Sequence, residues 1–288
     1  QTVVGNDEWV TSAQKLGYLA IPAQEVVTNE GHYLAINTTE MIDSSTLYSE
    51  EGINHFIEEV HHQKGLVQIN HPSKDFPFWS MASEFDAIEI WNGQAMPPIN
   101  DLPDQYAQWM INQKAKEKWF DLLSEGVKIT ALGNSDVYEL RSQILKESAS
   151  DEELFNEWVS QGLRVGSPRN YVKIDKLSVD GILKGIKEGH VFITNGPLMD
   201  ITLNDVTFGD ELEEVSEVEV SYLIASNHQN LDCLNIIADG EVIESVALAE
   251  DAPTLGTLTI NLSNYHWVLF EVRTTSYEYA ISNPIYLN

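Results

Sequence analysis

The chain is predicted to be an α/β protein with a parallel sheet, followed by a small antiparallel β-sandwich. Three observations predict this. Residues 1–196 alternate between short apolar runs and amphipathic segments, the pattern of strands joined by helices packed outside a sheet. Beyond Pro197 the helical period disappears, and short alternating segments rich in β-branched residues run to the end. In the first region, metal-capable side chains recur just past apolar runs, where the strand ends of a parallel sheet, closed or open, share one face. The predicted division is therefore 1–196 and 197–288.

The elements follow in order. "GNDEWVTSAQKLG" reads as a helix with Asn6 or Asp7 near its N-cap and Gly17 at its end. "YLAIPAQEVV" reads as a buried strand running into a loop, and "HYLAIN" as a second strand. "SEEGINHFIEEVHHQKG" is an amphipathic helix with Ile53, Phe56, Ile57 and Val60 on one face, stopped by Gly65. "LVQIN" is a strand followed at once by "HPSKD", and "FDAIEIWNG" is another. "DQYAQWMINQKAKEKWFDLLSEG" is a long helix leading to the strand "VKITALG". "DEELFNEWVSQG" (helix), "NYVKI" (strand), "SVDGILKGIKEG" (helix) and "HVFITNG" (strand) complete the first region. In the second, "MDITL", "SEVEVSYLIAS", "LDCLNIIADGEVIESVAL", "GTLTINL", "HWVLFEVRTT" and "NPIYLN" read as strands, with a hairpin signal at Asp239-Gly240.

Composition narrows the function. The 288 residues are 43% apolar, enough for a core, but the apolar runs fall far short of the roughly 18 residues that span a bilayer. Acidic residues number 45 against 16 basic, a net charge of −29 that repels phosphate backbones and argues against a basic nucleic-acid-binding module. Most of this acidity reads as a solubilising surface. Cys233 is the single cysteine, so an intramolecular disulfide or a Cys-rich zinc site is excluded. A bound metal would rest on His, Asp and Glu, a donor set suited to Mn, Fe, Mg or Zn. The chain opens on Gln1, so its N-terminus gives no localisation. A phosphate-binding glycine loop, a nucleophile elbow and a dinucleotide fingerprint are all missing, which argues against serine-hydrolase and NAD chemistry.

Four side chains carry the metal expectation: Glu25 after "YLAIPAQ", His32 in "EGHYLAIN", His71 after "LVQIN", and Asp136 after "VKITALG". Each has a plainer reading. Glu25 suits a salt bridge, His32 a turn, and Asp136 a helix cap. His71 is the stronger candidate, because the proline after it restrains its backbone. Their repeated placement after apolar runs is what points to a hydrolytic metal centre. Asn134 arrives beside Asp136 as a candidate catalytic amide, and Glu89 and Asn92 lie near another strand end. Arg169 is one of few cations and would give an anionic substrate a bidentate partner. His61 and His62 read as surface residues near a helix C-terminus. His190, His228 and His266 are assigned no chemistry.

Taken together, these segments resemble the PHP (polymerase and histidinol phosphatase) superfamily of metallohydrolases, and more closely its CehA/McbA-like branch. "IPAQEVVTNEGHYLAIN", "INHPSKD", "AIEIWNG" and "LGNSDVY" resemble that branch's metal-site segments in order. "GSPRNYVK", "GHVFITNGPLMDITL" and "ISNPIYLN" resemble its later signatures. The resemblance implies a distorted (βα)7 barrel with two or three ions, Mn, Fe or Zn, and hydrolysis of phosphoesters or other esters. Glu25, His32, His71 and Asp136 would be ligands, with Glu25 bridging. This chain departs from the family in two ways. The family's His-x-His and Asp-His motifs would lie upstream of Gln1, so the resemblance implies an N-terminally incomplete barrel. Tyr138 stands where the family's late histidine is expected, and a neutral phenol is a poor ligand. The expected function is a metal-dependent phosphoesterase acting on a small anionic ester. The alternative is a non-catalytic binding protein on a degenerate scaffold of the same kind.

Overall fold

The computed structural model describes residues 10–288, apart from 44, 46, 73–75, 94–102, 137–165, 214, 228–229, 251–252 and 277. Residues 10–15 are helical (α1). The first region continues with β1 (Ala23–Thr28), β2 (Gly31–Ile36), α2 (Glu50–His62), β3 (Leu66–Asn70), a 3-10 turn (Trp79–Glu84), β4 (Ala87–Asn92), α3 (Pro103–Ser124), β5 (Thr130–Asn134), β6 (Arg169–Val172), α4 (Val179–Lys187) and β7 (Val191–Thr194). The second holds β8 (Leu198–Leu203), β9 (Glu211–Leu212), β10 (Val218–Ala225), β11 (Leu231–Ala238), β12 (Glu241–Ala247), β13 (Thr254–Ile260), β14 (Trp267–Thr274), β15 (Tyr279–Ser282) and β16 (Ile285–Leu287). The helix expected at "DEELFNEWVSQG" lies outside the described residues, as does Tyr138.

Local chemistry accounts for α2. Ser49 caps it, its hydroxyl accepting from Gly52 N at 3.1 Å. Glu50 and Glu51 face the positive end of the helix dipole, and His61 and His62 the negative end. The anticipated face of Ile53, Phe56, Ile57 and Val60 is the one that is buried. The stop differs from expectation. Lys64, not Gly65, takes the left-handed conformation (φ 60°), and Gly65 N closes the turn on Val60 O. Glycine is still required at 65, because a Cβ there would collide with the Ile36 carbonyl.

The (βα)7 barrel is not present, and the TIM-like description fails with it. β1 to β5 form an open sheet in sequence order, in which β1–β2 and β2–β3 are antiparallel and only β3–β4 and β4–β5 are parallel. A βα barrel needs a long crossover between successive parallel strands. Here β1 and β2 are joined by the two-residue turn Asn29-Glu30, which forces them antiparallel. β6 and β7 pair antiparallel and join a sheet of second-region strands, ordered β12-β11-β14-β15-β7-β6. Among the described residues the sheet therefore does not close.

The edge of β5 is sealed by side chains instead of a strand. Asn283 Oδ1 accepts from Ala131 N at 2.7 Å, and its Nδ2 donates to Ala131 O at 3.0 Å. Two residues on, Asn170 repeats the pairing with Gly133 N and O, both at 2.9 Å. The two carboxamides imitate the hydrogen bonds of a neighbouring strand at alternate residues and leave no exposed edge there.

The second region contains two facing sheets. One is β13-β10-β8, antiparallel throughout; the other is the six-strand path above, with β16 and β9 beside it. Ile201, Val220 and Ile224 of the first pack with Leu234, Ile236 and Phe270 of the second in one buried cluster. The second sheet is also covered on its other face. Trp267, Leu269, Ile237, Ile281 and Ile193 join the core built on Trp119 and Leu122 of α3. The ring of Phe120 lies 5.2 Å from Trp267, and Trp91 stacks on Tyr279 at 4.0 Å. Two-sided burial is why "WVLFEV" lacks alternation. Each large side chain buried there contributes on the order of 2 kcal/mol. The division expected after residue 196 falls between β7 and β8, while β7 is hydrogen-bonded to β15 across it.

Candidate metal centre

Strand register brings the first candidate residues together. Across β1 and β2, Val27 pairs with His32 and Glu25 with Leu34, so Glu25 and His32 are diagonal neighbours on one face. Across β2 and β3, His32 pairs with Asn70, which carries His71 to the same edge. Convergence thus comes from a hairpin and an antiparallel return, not from parallel strand ends. Glu25 lies within β1, on the exposed side of an alternating strand.

The geometry is compact. Glu25 Oε1 lies 3.6 Å from His32 Nδ1 and 4.0 Å from His71 Nε2. The two imidazoles meet edge to face, 4.8 Å between centroids. One ligand atom from each of Glu25, His32 and His71 falls within 4.8 Å of the others. Asp136 lines the same cavity from beyond β5 without joining that set. The cavity measures about 450 Å³ and is also bounded by Asn70, Asn92, Phe76 and Ile111.

Buried amides position these groups. Gln68 Nε2 donates to Asn70 Oδ1 at 2.6 Å, and Asn70 Nδ2 donates to Glu25 Oε1 at 3.1 Å. Behind them, Glu89 Oε2 accepts the backbone N–H of His71 at 2.7 Å. Asn134 Nδ2 donates to Glu89 Oε1 at 2.9 Å, and Asn92 Nδ2 to both oxygens at 3.2 and 3.3 Å. Asn92 is in turn held by Asn112, through its backbone N–H and C=O. His71 and Asp136 both adopt left-handed backbone, φ 26° and 46°. The Glu89 bond to the His71 N–H holds this left-handed turn, which Pro72 follows directly. Such conformations cost about 1–3 kcal/mol in non-glycine residues and cluster at functional sites.

Charge follows burial. Burial first, and the neighbouring His32 second, lower the pKa of His71 below the usual imidazole value, against the opposing pull of Asp136 and Glu25. Its ring is therefore neutral at neutral pH, the form that binds metals. Burial pushes Glu89 up to about 7, against the donors from Asn134, the His71 backbone and Asn92.

The donor set fits a divalent transition ion. Two imidazole nitrogens and one carboxylate oxygen form a catalytic-type set that leaves coordination positions open. A tetrahedral ion with bonds of about 2.1 Å spaces its ligand atoms by about 3.4 Å. Two separations here, 3.6 and 4.0 Å, approach that, while the set as a whole spreads to 4.8 Å, so the side chains would draw together around an ion.

The other anticipated residues lie elsewhere. Asn134 points to Glu89, so it positions His71 at one remove. Arg169 Nη1 donates to Gly166 O at 3.2 Å, its guanidinium sits 5.8 Å from the Tyr171 ring, and it is not among the described residues lining the cavity. His61 bonds Asp86, His190 bonds Asp210, and His266 bonds Asp239. Gln68 and Asn70 were missed. Their signal was present: two amides spaced by two in an otherwise apolar, fully buried strand need partners on one face.

No protein-family model matches the chain, and no curated protein matches it. Among solved structures, the crystal structure of an engineered protein aligns with 83% of this chain and 46% of its own, at 6% identity and a TM-score of 0.24. The chain thus spans less than half the length of that protein.

Proposed function

We propose that this chain is a metal-dependent hydrolase whose divalent ion is held by Glu25, His32 and His71, with Asp136 facing the same cavity. The observation that carries this reading is the convergence of two imidazoles and a carboxylate within 4.8 Å beside an open cavity. The neutral state of His71 and the ordered resemblance of "NEGHYLAIN", "INHPS" and "GNSD" to metallohydrolase segments support it. A bound ion would supply a Lewis acid and an acidified water near neutral pH. The chain's own groups do the rest. Asn70 turns the Glu25 carboxylate toward the histidines, and Glu89 fixes the backbone that aims the His71 ring. The cavity beside them holds the ester, a phosphoester or another small ester. Arg169 has no place in this reading, since its guanidinium is engaged elsewhere.

The test is metal content together with hydrolysis of 4-nitrophenyl phosphate, bis(4-nitrophenyl) phosphate and 4-nitrophenyl acetate. Metal bound in a His71-dependent way, with turnover of one of these esters, is the expected result. Metal bound with no turnover would favour the non-catalytic alternative. Protein that takes up no Mn or Zn would overturn the site itself.

A further inference from the structure

A strand that ends a sheet offers unpaired backbone N–H and C=O groups to a further strand, and proteins blunt such edges with charges, prolines, bulges or a cover. Most edges of this molecule are blunted. β1 carries Glu25, β6 Arg169, β8 Asp200, β9 Glu211, and β12 both Glu241 and Glu244. β5 is closed by the two carboxamides. Among the described strands β13 is the exception. It ends the β13-β10-β8 sheet, runs for 7 residues, and pairs with β10 along its whole length without a bulge. Its sequence, TLGTLTI, holds no charge and no proline. Between 252 and 270 the chain has no Asp, Glu, Lys or Arg at all, although its net charge is −29.

Both faces of this edge are unfinished. On the outer face Leu255 is 78% exposed beside its cross-strand partner Leu223, itself 45% exposed. On the inner face Leu258 and Ile260 pack against the sandwich core but are only half-buried. Gly256 lies in the same inner row, and Tyr222 takes the space its Cβ would fill. A strand laid beside β13 would cover Leu258 and Ile260 and pair the open backbone groups.

The row also selects the strand. A second β13, antiparallel and related by a two-fold axis through Thr257, sets Thr257 against itself, Leu255 against Thr259, Gly256 against Leu258 and Thr254 against Ile260. Large side chains then face smaller ones on the inner row, and no charged side chain enters the paired strands. A basic partner would be matched by carboxylates along the outer row, and Leu255, Thr257 and Thr259 supply none. A neutral row is what a copy of equal negative charge tolerates.

We propose that β13 pairs with β13 of a second copy of this chain, so that the two 3-stranded sheets become one continuous sheet. The contact is isologous and closes at two chains. A single edge of this length, about 23 Å, falls at the low end of specific interfaces, so the dimer is weak and reversible.

The test is sedimentation equilibrium on the full chain from about 1 to about 500 µM. Half of the chains should be dimeric near about 100 µM. Raising NaCl from about 0.15 to about 0.5 M should lower that midpoint, because salt screens the repulsion between two acidic copies. Thr257→Lys should weaken the dimer about fivefold by setting two lysines opposite each other on the axis. It also reduces the net negative charge, so added repulsion between the copies is not the cause. In a Cys233→Ala background, Thr257→Cys should cross-link on mild oxidation, since directly opposed Cα atoms lie about 4.5–5.5 Å apart. Thr259→Cys, equally outward on the same strand, should not. All variants should keep the parent's circular dichroism. A chain that stays monomeric to about 500 µM at both salts, species larger than a dimer, a dimer unaffected by Thr257→Lys, or cross-linking through 259 as readily as through 257 would overturn the proposal.

Discussion

Replacing Asn283 by leucine tests whether the carboxamide seal on β5 holds the layers together. Asn283 is 1% exposed and makes three side-chain hydrogen bonds: Oδ1 accepts from Ala131 N, and Nδ2 donates to Ala131 O and Val191 O. Leucine keeps the branching and the number of side-chain heavy atoms and removes all three. Val191 O retains a bond from the backbone N–H of residue 283, so it stays satisfied. Ala131 N–H and C=O do not, and Ala131 is itself buried. Two orphaned backbone groups at about 1–3 kcal/mol each give an expected loss of about 2–6 kcal/mol. Total stabilities of domains are on the order of 5–15 kcal/mol, so the change is large. Urea unfolding should show a lower midpoint at an unchanged slope. Asn288→Ala is the control. Its amide bonds Glu211 at 2.8 Å in an exposed position, and its loss should stay within about 0.5 kcal/mol. If Asn283→Leu costs less than about 1 kcal/mol, the edge is satisfied by something other than this side chain.

Two further outcomes follow from the buried carboxylates. Glu89→Gln puts an NH2 group against donors from His71, Asn92 and Asn134, so His71 loses its anchor; affinity for Mn or Zn, measured by equilibrium dialysis, should fall about tenfold to a hundredfold, and unchanged affinity would remove Glu89 from the account. Burial pushes the Glu271 carboxyl up, but Lys116 and Arg273 outweigh it and hold it below the usual 4.5. A lowered carboxyl pKa contributes stability that is present above the unfolded value and lost as pH falls through the folded one. Unfolding followed between pH 7 and the acid limit should therefore show a loss beginning below about 4.5, smaller in Lys116→Met than in the parent; identical acid limbs would contradict it.

The elements were legible where one local pattern decided them. The Ile53, Phe56, Ile57 and Val60 face gave α2, and the runs "LVQIN" and "AIEIWN" gave β3 and β4. Strand direction was not legible. The two-residue turn Asn29-Glu30 lacks the Asn-Gly or Asp-Gly signature that marks such hairpins, so β1 and β2 read as separate strands of a parallel sheet. The pairing of β7 with β15 joins residues more than eighty positions apart, and no periodicity encodes that choice. The site divided the same way. Glu25, His32 and His71 were visible by residue type and by their repeated placement beside apolar runs, although each alone had a plainer reading. Glu89 was noticed as a residue near a strand end, but its role as the anchor of the His71 backbone was not legible. A carboxylate buried at 2% exposure inside "AIEIWN" makes sense only when the donors from three other positions are seen around it. Arg169 was chosen for its charge, and charge does not say where a side chain points.

The central claim is that Glu25, His32 and His71 form one metal site. It is tested most directly by mass spectrometric metal analysis of protein purified without chelators and then dialysed against Mn, Fe or Zn. At least one tightly held ion per chain should be found, and His32→Ala and His71→Ala should each lose it while keeping the parent's circular dichroism. Metal-free protein, or metal retained equally by both folded variants, would contradict the claim.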